Sequence, residues 1–302
     1  MFGSCWIYTA VFVYAFMLAV LKTGAVTKDV TIFGDDSISR NETTKVNFTR
    51  IVGGAWAKRG AYPYQVAIFV KKEFTCGGTL LEGGLHVLTA AHCINPLGRE
   101  AGLITLYFRT TVLNPLDAIH IERKAAKFVT HPSYNSTSFE NDLGVITLSK
   151  PVFEIRPVKL ERVDPFNQTH IGKEATVIGW GRTRQVLHPA MSSGAASNHL
   201  RHVNVTILDT KDCSVLYYHD YELSDGKRLC ASTLFGKSIC QGDSGGPLLI
   251  NGLQVGINSA AAGCADPRFP ALFIRVAAYV DWIKTVVGKS VPVMPVTLIT
   301  AA

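Results

Sequence analysis

Short apolar runs separated by turn residues fill the middle of the chain. Gln65–Val70, Ile104–Phe108, Leu143–Leu148 and Ala175–Trp180 come first, and His202–Ile207, Pro247–Ile250, Gln254–Ile257 and Leu272–Val276 follow. Such runs, rich in β-branched and aromatic residues and divided by Gly, Pro, Asn, Asp and Ser, read as strands, and many of them in series predict an all-β barrel or sandwich. The pattern changes near the end of the chain. Val276, Tyr279, Val280, Ile283 and Val287 repeat at helical spacing, which predicts a C-terminal amphipathic helix.

Two apolar stretches lie outside this series. Trp6 to Leu21 is continuous and is followed by the small residues Thr23-Gly24-Ala25. It is shorter than the roughly 20 residues that span a bilayer. Small residues stand where a signal peptidase cuts, so residues 1–25 read as a signal peptide. Residues 26–50 are polar, lack cysteine and read as a pro-segment. The tail 289–302 is apolar with two prolines and lacks the polar spacer of a lipid-anchor signal, so it is assigned no function. The expected product is secreted, without a stable membrane anchor.

Composition narrows the classes. With 302 residues, 47% apolar and 18% charged, the chain has the makings of a large core rather than of disorder. The net charge of +7 is scattered, and its densest cluster, Arg123, Lys124 and Lys127, has Glu122 beside it. A nucleic-acid partner would call for a longer basic stripe interleaved with aromatics. Of seven cysteines, Cys5 lies in the signal segment, which leaves Cys76, Cys93, Cys213, Cys230, Cys240 and Cys264. An even count fits an oxidised, secreted domain, although spacing alone does not choose a pairing. Sequons at Asn41, Asn47, Asn135, Asn167 and Asn204 agree with secretion.

The candidate chemistry centres on Gly242-Asp243-Ser244-Gly245-Gly246-Pro247. A serine between glycines presents an unobstructed hydroxyl, and the glycines let backbone N–H groups approach a reacting carbonyl. The motif also fits the nucleophile elbow of α/β-hydrolases, but that fold needs its histidine after the serine. No histidine follows His219, so a histidine base for Ser244 lies upstream, and Thr89-Ala90-Ala91-His92-Cys93 supplies one. Asn141-Asp142-Leu143 lies between them. A serine hydroxyl needs a base within reach, and that base needs its tautomer fixed. His92 and Asp142 are candidates for these two parts. No H-E-x-x-H, P-loop or dinucleotide motif is present.

The order His92, Asp142, Ser244, each within its own local motif, resembles the trypsin/chymotrypsin family of serine proteases. Arg50-Ile51-Val52-Gly53-Gly54 resembles that family's activation site, and the resemblance runs from about residue 51 to 288. It implies two six-stranded antiparallel β-barrels, joined near residues 150–170, with a C-terminal helix. His92 and Asp142 would come from the first barrel and Ser244 from the second. It implies the disulfides Cys76–Cys93, Cys213–Cys230 and Cys240–Cys264, a three-disulfide set like that of invertebrate members. It also implies an oxyanion hole from the N–H groups of Gly242 and Ser244, and a hydrogen bond from Ser259 to the triad carboxylate. Cleavage after Arg50 by a trypsin-like protease would free the Ile51 ammonium to pair with Asp243.

Specificity departs from the tryptic pattern. Trypsin-like members carry an aspartate six residues before the nucleophile, where this chain has Ser238. A cationic side chain would then enter without a counter-charge, which is costly. The pocket walls, glycines in chymotrypsin-like members, align with Ala261 and Ala271, and their methyls predict a narrowed slot for apolar residues. Asp266 is the one nearby acid that would rescue a basic substrate. Ala260 replaces the family's tryptophan, with Phe139 a candidate to fill part of that space, and Leu143-Gly144 replaces Ile-Ala. The loop Gly102 to Ile121 lacks the acidic pair that binds calcium in some relatives, so no required metal or other cofactor is expected. The leading expectation is a secreted endopeptidase acting on proteins or peptides after apolar residues, and a target for protein inhibitors. The alternative is a non-catalytic homologue acting as a binding or cofactor protein.

Overall fold

The computed structural model describes residues 54–162, 170–182, 196–217, 223, 225–232, 239–261 and 269–288. The signal, pro-segment and tail assignments lie outside these residues, as do Asn41, Asn47, Arg50, Ile51, Asn167, Ser238, Cys264 and Asp266. After a two-residue strand β1 (Ala55–Trp56) come β2 (Gln65–Val70), β3 (Glu73–Leu80), β4 (His86–Thr89), β5 (Ile104–Phe108), β6 (Ile121–Thr130) and β7 (Gly144–Leu148). Strands β2 to β7 form a closed barrel in the order β2-β3-β4-β7-β6-β5, with β5 pairing back onto β2. All of its pairings are antiparallel.

The second half contributes β8 (Lys159–Leu160), β9 (Glu174–Gly179), β10 (Arg201–Leu208), helix α1 (Thr210–Leu216) and β11 (Arg228–Ser232). Then follow β12 (Pro247–Ile250), β13 (Leu253–Ala260), β14 (Ala271–Arg275) and helix α2 (Val280–Gly288). The order β9-β10-β11-β14-β13-β12 closes on itself where β12 meets β9, giving a second six-stranded barrel. Short β1 adds to β10, and β8 adds to β13 in parallel. The open choice between sandwich and barrel thus resolves to barrels, which remove sheet edges by closure.

The apolar runs named from sequence all appear as strands, with ends within a residue of those read, except that β13 runs three residues beyond Ile257. Six strands escaped the pattern for a physical reason. β6 carries Glu122, Arg123, Lys124 and Lys127 and is largely exposed, so it has no apolar run. β3 passes through Cys76-Gly77-Gly78, whose small residues admit close neighbours. β1, β4, β8 and β11 are short. Helix α1 begins at an N-cap, Asp209, whose side chain accepts from Lys211 N–H. The C-terminal helical pattern begins in a 3-10 turn, Val276–Tyr279, before the α-helix proper.

The first barrel's core holds Ile68, Leu88, Ile104, Leu106, Phe108 and Ile146, and continues through Ile178, Trp180, Leu200 and Ile257 onto the second barrel. Between the barrels Thr79 Oγ1 donates to the buried Gln254 Oε1 at 2.8 Å. A second cluster, including Val177, Val205, Leu248 and Phe273, fills the other barrel. Cys76–Cys93 and Cys213–Cys230 are bonded, with Cα atoms 6.2 Å and 6.6 Å apart. Cys240 is also disulfide-bonded. Among the described residues no helix is long and apolar enough to cross a membrane.

Candidate active site

Strand register brings the first two groups together. Thr89, the last residue of β4, lies opposite Gly144, the first residue of β7. His92 leaves one strand three residues after Thr89, and Asp142 precedes the other by two, so both emerge at the same end of the barrel. A 3-10 turn, Ala91–Cys93, reverses the chain at His92, and the Cys76–Cys93 disulfide ties that turn to β3. Gly144 is tightly packed here: a Cβ would come within 2.7 Å of Ile94 Cδ1 and 3.2 Å of Val129 O, so the buried Ile94 would have to shift.

Asp142 is fully buried and accepts three hydrogen bonds. His92 N–H donates to Oδ1 at 2.9 Å, while His92 Nδ1 at 2.8 Å and Ser259 Oγ at 2.6 Å meet Oδ2. A carboxylate is an acceptor, so Nδ1 carries the proton and Nε2 is left as an acceptor. Ser259 reaches from β13 because the β13–β14 register shifts between Asn258 and Ala260, leaving it as the bulged residue. Bulges re-aim side chains in this way. Burial, with the Asp142 charge nearby, pushes the Tyr134 phenol up to about 12.

Ser244 comes from the turn before β12. Its carbonyl accepts from Gly77 N–H of β3 at 2.8 Å, fastening the second barrel's turn to the first barrel. Gly245, at φ +78, packs directly on Thr89, Gly77 and Ala90, two residues from His92, where a side chain would collide. Asn258 holds the turn from the other side: its carbonyl accepts from Gly245 N–H, and its Nδ2 donates to Asp243 O at 2.9 Å. Ser244 Oγ makes no hydrogen bond with a described residue, a contact that in resting enzymes often tightens only with substrate.

Backbone donors in this turn divide into two sets. The N–H groups of Asp243, Gly245 and Gly246 are bonded to Cys240 O, Asn258 O and Asp243 O. Those of Gly242 and Ser244 bond no described residue and are left to donate outward. Gly242, at φ +97, takes a conformation that few side chains tolerate.

Asp243 is fully buried. Its carboxylate accepts from Gly181 N–H at 2.7 Å and Cys240 N–H at 2.9 Å. Burial pushes its pKa up to about 6, against the lowering effect of those two bonds. Among the described residues no ion pair involves it. Gly179 and Gly181, flanking the buried Trp180, leave room for the carboxylate, which a Cβ at either would strike. Sequence reading overlooked these glycines, although Gly179-Trp180-Gly181 is a visible signal.

Of the specificity residues, Ala261 packs on the cluster that holds Ala271, Ile239 and Phe273. Phe139 meets the His92 imidazole edge to face, with ring centroids 5.6 Å apart. Asn135 and Asn204 are both exposed. Cys76, His92 and Cys93 cluster at metal-binding distance, but both sulfurs are spent in their disulfide.

The family model described as Trypsin matches residues 51–283. The chain belongs to the trypsin family of serine proteases. It is 34% identical to Chymotrypsin-2 of Vespa crabro, over 78% of this chain and 98% of that protein. It is 35% identical to Brachyurin of Leptuca pugilator, over 79% and 99% respectively. A solved structure of neuropsin, a serine protease expressed in the limbic system of mouse brain, superposes with a TM-score of 0.67 at 26% identity. That likeness covers 78% of this chain and 98% of the neuropsin chain. The protease is thus a serine endopeptidase by family, on a fold of two β-barrels.

Proposed function

We propose that this protease is a secreted endopeptidase, made as a zymogen, that cleaves after apolar residues with Ser244 as nucleophile. The observation that carries the reading is the geometry around Asp142. A buried carboxylate bonded to His92 Nδ1 and braced by Ser259 fixes the tautomer a general base needs. In the reaction Ser244 Oγ attacks the scissile carbonyl while its proton passes to His92 Nε2. The carbonyl oxygen, now negative, takes hydrogen bonds from the N–H groups of Gly242 and Ser244. His92 returns the proton to the leaving amine, and water then hydrolyses the acyl-enzyme by the same route. Asp142 stays ionised and stabilises the imidazolium. This complete set favours catalysis over a purely binding role.

Activation follows from Asp243. A buried carboxylate without a cation is unfavourable. Cleavage after Arg50 would release the Ile51 ammonium as its partner and order the turn that carries Gly242 and Ser244. A chain that cannot be cut at Arg50 should stay inactive in peptide hydrolysis, and full activity from it would refute this step.

Ala261 and Ala271 in place of glycines, packed with the apolar cluster of Ile239 and Phe273, and Ser238 where tryptic members carry an aspartate, support cleavage after Leu, Met or smaller residues. Succinyl tetrapeptides ending in Phe, Leu, Ala and Arg test this directly. Fastest turnover after Leu or Ala is expected, and fastest turnover after Arg contradicts it. The expected signal peptide, the sequons and the even cysteine count of the expected mature chain support secretion.

A further inference from the structure

Arg228 lies on β11 of the second barrel with 4% of its surface exposed. Its Nη2 nevertheless donates across to the first barrel, to Ser138 O at 2.7 Å. A buried guanidinium is costly, and an apolar side chain would fill a core position more cheaply. One of its acceptors, Ser138 O, lies in the loop that leads into Asp142.

That loop is strained. Phe139 sits at φ 54 and Asn141 at φ 52, both left-handed. A bulky residue such as Phe139 holds this conformation only where its surroundings over-determine it, whereas asparagine takes it more readily. Both positions are held from the second half of the chain. Arg228 grips the carbonyl just before Phe139, and Tyr279 OH donates to Asn141 Oδ1 at 2.8 Å. Asn141 Nδ2 in turn donates to Ser133 O at 2.9 Å. The segment so held delivers Phe139 against the His92 imidazole and Asp142 against its Nδ1.

We propose that Arg228 is a positioning residue, which by fixing Ser138 O holds Phe139 against His92. It thereby sets the imidazole's alignment and the room for the substrate side chain beside it. The inference rests on the reading of His92 as the general base. Without the guanidinium, Ser138 O loses a donor and Phe139 can relax out of its left-handed conformation. The ring then leaves the imidazole.

The test uses cleaved enzyme, titrated with diisopropyl fluorophosphate so that rates refer to active molecules. Two peptides share a scissile residue and differ in the one preceding it, glycine or leucine. Arg228→Met should lower kcat by about tenfold or more, as a misplaced catalytic group does. It should also shift the glycine-to-leucine ratio of kcat/KM toward leucine by about fivefold, the scale of a reshaped apolar pocket. Arg228→Lys should restore part of both. Phe139→Ala, which leaves Arg228 in place, should shift the ratio in the same direction even where Arg228→Met folds poorly. Unchanged kcat and ratio per titrated site in Arg228→Met would overturn the proposal, as would a lower melting temperature alone. Wild-type enzyme that takes up no fluorophosphate would instead remove the reading of Ser244 on which it rests.

Discussion

Asp142 has no exposed surface, and its three donors account for its buried charge. Hydrogen bonds to charged groups contribute about 1.5–3 kcal/mol each. Ser259→Ala should therefore lower kcat by about tenfold or more while leaving the primary cleavage preference unchanged. Asp142→Asn should fold normally but lose roughly 10⁴ in kcat, because an amide can donate to Nδ1 and so select the wrong tautomer. Both are read from steady-state kinetics beside a circular dichroism spectrum. At this scale the meeting of His92 with Asp142 was legible, because each carries local neighbours that mark it. Arg228 and Tyr279 were not. Their partners lie 90 and 138 positions away, and no local pattern announces such a contact. The bulge that aims Ser259 is equally invisible, since it is a property of the pairing of β13 with β14.

Elements explain why those residues meet. β4 and β7 carry His92 and Asp142 to the same end because Thr89 faces Gly144. The disulfide Cys76–Cys93 closes a span of 17 residues around this turn. Replacing both cysteines by alanine should cost about 3 kcal/mol of stability in the chain-entropy account. Denaturant unfolding checks it. Gly144→Ala separates propensity from packing. A strand glycine is ordinarily a weakness, so propensity predicts stabilisation. The contact with Ile94 predicts instead a loss of about 1–3 kcal/mol, the usual cost of overpacking. The strands with apolar runs were readable from sequence. β6, polar and exposed, was not, because its place is fixed by its pairing with β5 and β7 rather than by its own composition.

For the whole molecule, the choice between barrel and sandwich was not available from strand patterning, since both bury alternate residues of many short strands. Closure is decided by which strands pair, β5 with β2 and β12 with β9. Activation also belongs to this scale, and pH reports on it. In the uncut chain Asp243 is pushed up to about 6, above its ordinary 3.8, by burial. A carboxyl with a raised pKa stabilises the fold most below its unfolded value, and that contribution is lost as pH rises through about 6. In the proposed activation, pairing with the Ile51 ammonium would lower the pKa and reverse the sign. The melting temperature of cut enzyme minus that of uncut chain should therefore grow between about pH 4 and pH 7, and calorimetry giving a flat difference would argue against the pairing. The most direct test of the central claim is to label cleaved enzyme with a biotinylated fluorophosphonate and locate the modified residue by peptide mass spectrometry. The account predicts stoichiometric labelling of Ser244, abolished by His92→Ala. Peptide hydrolysis by enzyme that is unlabelled, or labelled at another serine, would contradict it.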